Sequence, residues 1–215
     1  MPENLFVPGD VPYMEIRLFG EFSVRVNGLG VPPARWKLRS AKTLIKLLAL
    51  APHHRLHREE VMELLWPDRG PQAAAHSFHQ TLYVARRALA PDRSLEGHFL
   101  GFREEIVSLG PRTSLWTDVG VFTGAAETAR RSKDPAEYEA ALAPYADGLL
   151  PEDRFADWSA SAREELRKQH LGLLMELGEI YETRQCYGAA INTHSLALGD
   201  DPFQEEVHRS LMRLH

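Results

Sequence analysis

A mainly α chain in two parts is predicted: an N-terminal winged helix-turn-helix carrying small β-sheets, then a C-terminal all-α region of repeated helices. Three observations predict it. Period-two alternation occurs only in two stretches, which bracket three helical stretches in the first half; strand signals vanish after Trp116; and charge divides along the same line. Through Arg112 there are 15 Lys+Arg against 12 Asp+Glu, and beyond it 10 against 18, so the overall −5 conceals a basic half and an acidic half. Such asymmetry points to one part that faces an anionic partner and another that must not.

Residues 1–13, proline-rich and aperiodic, read as a flexible leader. Ile16, Leu18, Phe22, Val24 and Val26 alternate around Gly20 as two short strands, and Asn27-Gly28 makes the turn that ends the second. Ser40 is placed to cap a helix running to about Leu50 on Leu44, Ile45, Leu47 and Leu48, with Pro52 stopping it. His53, His54 and His57 follow in a loop. A shorter helix, Arg58 to Trp66, rests on Val61, Leu64, Leu65 and Trp66 and ends in the turn 67–70. A third helix contains HSFHQTLYVARRALA, residues 76–90, with the stripe Phe78, Leu82, Ala85 and Leu89 at helical spacing, and Pro91 ends it. HFLGFREEIVSLG then outlines a hairpin around Arg103-Glu104-Glu105. Strands, three helices and a hairpin over residues 14–112 are the order of a winged helix-turn-helix.

The part from 116 to 215 predicts helices at about 118–131, 135–145, 157–184, 187–198 and 203–214. Within it Leu174, Leu177, Gly178, Tyr181, Ala190, Ala197 and Pro202 fall at the offsets of a tetratricopeptide (TPR) repeat, whose small residues let antiparallel helices approach. The second part is therefore expected to be TPR-like. Its last helix shows Phe203, Val207, Leu211 and Leu214 on one face; an apolar stripe without a covering helix leads us to expect a truncated repeat from a longer protein. Trp116, Tyr145, Trp158 and Tyr181 are expected to fill helix interfaces.

Several classes of function find no support. The chain has no apolar run near the roughly 20 residues that span a membrane and no signal-peptide pattern, so a cytoplasmic protein is expected. The single cysteine, Cys186, cannot form an internal disulfide and reads as a core thiol. Phosphate-binding loops, nucleophile elbows and metalloprotease motifs are missing, and pairs such as Glu59-Glu60 and Glu164-Glu165 sit on amphipathic helices, so neither an enzyme nor a cofactor is expected. His76 and His79 have a zinc-compatible spacing, but a third ligand set is not evident and no metal site is expected.

MEIRLFGEFSVRVNG, KLRSAKTLIKLLALAPHHRLHREEVMELLWPD, ARRALAP, FREEIVSLG and LWTDVGVF together resemble the bacterial transcriptional activator family, including the antibiotic regulatory proteins called SARPs. The resemblance spans roughly residues 14–215, and ELLWPD followed by a helix ending ARRALAP is its most specific piece. It implies an OmpR/PhoB-type winged helix joined to a TPR-like bacterial transcriptional activator domain, sequence-specific binding to double-stranded promoter DNA, often at direct repeats, and recruitment of RNA polymerase; self-association on such repeats is an accompanying expectation. Two departures stand out. Val84 and Ala85 replace the first two members of the Arg-Leu-Arg-Arg usual before the helix end, and the wing turn carries Glu104 and Glu105 where a glycine is common, leaving Arg103 as its grip on DNA.

The third helix faces away from its apolar stripe with His76, Gln80, Tyr83 and Arg87, flanked by His79 and Arg86, and with no acid. In a major groove, Gln80 suits adenine N6 and N7, His76 suits guanine, and Tyr83 suits a thymine methyl or a phosphate, so these three are the expected base readers. Arg86, Arg87 and His79 are expected on phosphates. Arg35, Lys37, Arg39, Lys42 and Lys46 lie in a stretch without an acid between residues 22 and 58; Arg39, Ser40 and Lys42 are expected to hold phosphate at the start of the first helix. The alternative is a TPR-type protein-interaction scaffold whose winged helix no longer binds DNA, which would have no use for an acid-free groove face.

Overall fold

A computed structural model describes residues 12–90, 97–110, 113–145 and 148–214. Most of the expected leader, and Pro91, lie outside the described residues. The chain divides into two compact units, one comprising the residues up to Leu18 with Phe22–Thr117, the other Phe19–Glu21 with Asp118–His215.

The first unit begins with β1 (Tyr13–Arg17), β2 (Ser23–Val26) and β3 (Leu29–Gly30). Alternation puts Met14 opposite Val26 and Ile16 opposite Val24, all four buried. Asn27 and Gly28 both take positive φ, 49° and 80°, as a two-residue hairpin turn requires, and Asn27 Oδ1 accepts from the Tyr13 amide at 2.9 Å. The helices are α1 (Arg39–Leu50), α2 (Arg58–Leu65) and α3 (Pro71–Leu89), with α1 and α2 packed on α3. A strand β4 (Arg55–His57) precedes α2; β5 (Leu100–Arg103) and β6 (Ile106–Leu109) make the wing; β7 (Ser114–Thr117) closes the unit. Two sheets result, ordered β3-β2-β1-β7 and β4-β6-β5, with β7 parallel to β1.

Local expectations change at three places. Ser40 is not the cap of α1: Leu38 precedes the helix, and the Ser40 hydroxyl inside the first turn shares a 2.7 Å hydrogen bond with Thr81 on α3. The His53–His57 stretch is not all loop, because Arg55–His57 pairs with β6. His57 instead caps α2, accepting from the Glu59 amide while the Glu60 carboxylate accepts from the His57 amide. The segment at Trp116, expected to lack strand structure, lies in β7.

The second unit is helical: α4 (Asp118–Ser132), α5 (Pro135–Leu142), α6 (Asp157–Thr183), α7 (Tyr187–Asp200) and α8 (Glu205–Leu214), each packed on the next. The short links between α4 and α5, α6 and α7, and α7 and α8 fold each of these pairs back as a helical hairpin, while a longer stretch joins α5 to α6. Leu174, Leu177, Gly178, Ala190 and Ala197 are all buried, as the repeat pattern requires. Phe19 enters this core, its ring edge-on to Phe122 and Tyr145 at 5.5 and 5.1 Å, with its amide donating to Asp118 Oδ2. Tyr145 is buried, whereas Trp158 and Tyr181 are half-buried, as is Trp116 in the first unit.

Two readings of this region are corrected. Cys186 is exposed at the turn into α7, not in the core, because the tight α6–α7 link carries it outward. The α8 stripe is not bare: Val207 is 1% exposed and, with Leu211, packs on Leu171, Leu174 and Ala197, while Phe203, before the helix, is 88% exposed.

Candidate nucleic-acid interface

The buried side of α3 is Ala74, Phe78, Thr81, Leu82, Ala85, Ala88 and Leu89. That burial fixes the rotation of the helix and turns His76, His79, Gln80, Tyr83 and Arg87 outward, all exposed. Gly70 precedes the helix and Pro71 opens it, where a missing amide hydrogen costs nothing. Arg69 Nη1 donates to Ser77 Oγ at 2.8 Å, tying the α2–α3 turn to the first turns of α3.

Within the exposed face the side chains differ in what already holds them. Arg87 Nη1 donates to the Tyr83 hydroxyl at 2.9 Å, one helical turn away, and its guanidinium lies 5.8 Å from the Tyr83 ring centre. His79 stands edge-on to Phe78 and Phe102, so its ring rests where α3 meets β5. A cleft of about 350 Å³ opens beside the C-terminal half of the helix, lined by His79, Leu82, Tyr83, Arg86, Arg87 and Gly97.

Arg86, expected on a phosphate, has a partner within the first unit. It is half-buried, its Nε donates to the Leu100 carbonyl at 3.0 Å, and burial pulls its affinity for a proton below the ordinary arginine value. It braces α3 against the wing. Lys42 and Lys46 set Nζ 5.3 and 4.8 Å above the Phe22 ring, and Lys46 is 2% exposed. Arg39 and Lys37 remain exposed, and Arg35 reaches back to the Ala90 carbonyl at 3.3 Å.

The wing turn places Glu104 and Glu105 at φ 50° and 63°, the left-handed region that a glycine would occupy more cheaply. Arg103 is exposed at the end of β5, opposite Ile106. Glu105 does not simply face solvent: its carbonyl accepts from the Arg58 amide at 2.7 Å, and Arg58 Nε lies 2.8 Å from Glu105 Oε2, close as an ion pair though not aligned as a hydrogen bond. One of the two wing acids is thus compensated from α2, a pairing that spacing along the chain does not reveal. Among the described residues no three His, Cys, Asp or Glu side chains converge as metal ligands, and no helix is long and apolar enough to cross a membrane.

The first unit is thus a winged helix with an outward, acid-free third helix, and the second a run of TPR-like helices. Residues 117–214 match the model of the bacterial transcriptional activator domain family. Of the solved structures, EmbR of Mycobacterium tuberculosis, determined in complex with a low-affinity phosphopeptide, superimposes with a TM-score of 0.75 at 16% identity, over 94% of this chain and 54% of EmbR. The chain therefore spans about half the length of that relative and shares its mainly helical fold. No curated protein matches the sequence.

Proposed function

We propose that the protein binds double-stranded promoter DNA sequence-specifically by laying α3 in the major groove, and activates transcription by contacting RNA polymerase. The observation that carries this is the outward face of α3: five exposed side chains able to donate hydrogen bonds, with no acid among them. In the groove, His76 and Gln80 read base edges, while Arg87, Arg39 and Arg103 hold phosphates and set the register. The acidic second unit is kept for protein contacts, to RNA polymerase and to further copies on direct repeats.

The test is a salt titration of the 215-residue chain on duplex DNA, followed by fluorescence anisotropy. Each neutralised phosphate contributes about −0.9 to the slope of log affinity against log salt, so several contacts give roughly −4 or steeper. Absence of a salt-dependent affinity would leave a TPR-type scaffold as the better reading.

A further inference from the structure

We infer that Val84 determines specificity at the proposed interface, its methyl groups packing on the C5 methyl of one thymine in the major groove, one or two base pairs from the contact of Gln80. This deepens the DNA-binding reading above and rests on it.

α3 is unbroken from Pro71 to Leu89, so the direction in which each side chain leaves it follows from about 100° per residue. Measured from Gln80, Val84 leaves about 40° to one side and His76 about 40° to the other, while the buried Phe78 and Leu82 lie about 160° away. Val84 therefore stands among the outward residues. It is only half-buried, so apolar surface is turned to the same side as the exposed Gln80 and His76. In the major groove the base edges offer acceptors, amino donors and one kind of apolar group, the thymine methyl. A lone valine on that face has this one partner to match.

Shape and register support the same contact. A β-branched side chain in a helix is held to essentially one χ1 rotamer, so its methyls are set before DNA arrives and little entropy is lost when they are covered. Four residues advance the helix by about 6 Å and base pairs stack about 3.4 Å apart, which puts the contacts of Gln80 and Val84 one or two steps from each other. Tyr83 is the other α3 side chain suited to a thymine methyl. It leaves about 60° from Gln80, on the side of His76, and its hydroxyl accepts from Arg87 at 2.9 Å, which makes the tip of the ring polar. Val84 has no polar side-chain atom, so a methyl group covers it without stripping away a hydrogen bond.

The full chain is compared with its Val84→Ala variant, which keeps a strong helix former and loses two methyl groups. Both are titrated on the duplex that binding-site selection returns for wild type, and on copies in which one thymine at a time is replaced by uracil, a change that removes only the C5 methyl. Wild type is expected to lose roughly 4-fold in affinity at one thymine, the amount for one methyl group returned to water. Val84→Ala is expected to bind the unmodified duplex more weakly by a similar factor, to be indifferent to uracil at that thymine, and to keep the salt slope and the affinity for non-specific duplex. Wild type indifferent to uracil at every position would overturn the inference, as would a selection that returns no preferred sequence. A sensitivity that Val84→Ala retains would overturn it too, and its loss in Tyr83→Leu would then assign the methyl to Tyr83. In all these cases the reading as a DNA-binding protein survives. If wild type itself shows no salt-dependent affinity for duplex, that reading falls and this one with it.

Discussion

The buried imidazole of His194, on α7, fills the space that a side chain at Gly178, on α6, would need: a β-carbon there would stand 2.7 Å from Nδ1 and 2.8 Å from Nε2. The ring is held by a 2.7 Å contact between Nε2 and Glu182 Oε1, so it has no easy retreat. Gly178→Ala gains about 1 kcal/mol of helix propensity but overpacks the α6–α7 interface at a cost of about 1–3 kcal/mol. A lower urea midpoint is expected. A midpoint at or above wild type would show that His194 can move aside.

Gln80 and Arg87 share the outward face of α3 and, on the proposed DNA-binding function, are expected to differ in what they recognise. A bidentate amide contact to adenine discriminates by about 1–3 kcal/mol, so Gln80→Ala is expected to relax preference at one or two base pairs and spare non-specific affinity. Arg87→Ala is expected to lower both affinities and leave the preference intact. Binding-site selection beside a non-specific competitor titration checks both; an unchanged motif for Gln80→Ala would mean that the helix docks in another register.

Arg86 ties α3 to β5 through the Leu100 carbonyl. Arg86→Met keeps an apolar stem and deletes a hydrogen bond from a charged group, a contribution of about 1.5–3 kcal/mol where the site is dry and less here, where it is half-exposed. The variant is expected to melt at lower temperature, with a salt slope for DNA close to wild type. A slope shallower by about one contact would assign a phosphate to Arg86.

Tyr138, fully buried, donates to Glu176 Oε2 at 2.7 Å, and Arg130 Nε donates to the other oxygen of that carboxylate at 2.9 Å. Burial first, and then the bond to Glu176, push the Tyr138 hydroxyl from 10.0 up to about 12. A pKa raised in the folded state means the protonated form is the one stabilised, so this contribution is complete below pH 10.0 and is lost as pH climbs toward about 12. Stability is expected to fall across that window, and Tyr138→Phe to flatten the fall. An equal slope in the variant would assign the loss elsewhere, with Tyr181, also raised to about 12, chiefly by its bond to Glu139, the next candidate.

Cys186 is expected to react with a thiol reagent in the folded protein without denaturant, since it is exposed at the head of α7. Protection until unfolding would return it to the core.

Helix positions were legible in the chain because each helix buries a stripe that repeats at its own period: α3, the repeat residues Leu174 to Ala197, and the outward turn of His76, Gln80 and Arg87 all follow from that local rule. β4 and β7 were not legible. A strand of three or four residues has too few alternations to register, and what stabilises each is a partner far along the chain, β6 for one and β1 for the other. The same reason governs the site. Spacing could put Arg86 and Arg87 side by side on α3, but only the fold gives one the carbonyl of Leu100 and the other the hydroxyl of Tyr83 as partner. Spacing could count Lys42 and Lys46 as a basic run, but only the fold sets both over the Phe22 ring. Periodicity states which way a side chain leaves its own helix. Which neighbour waits there is a property of contacts between distant segments, and those exist only once the chain has folded.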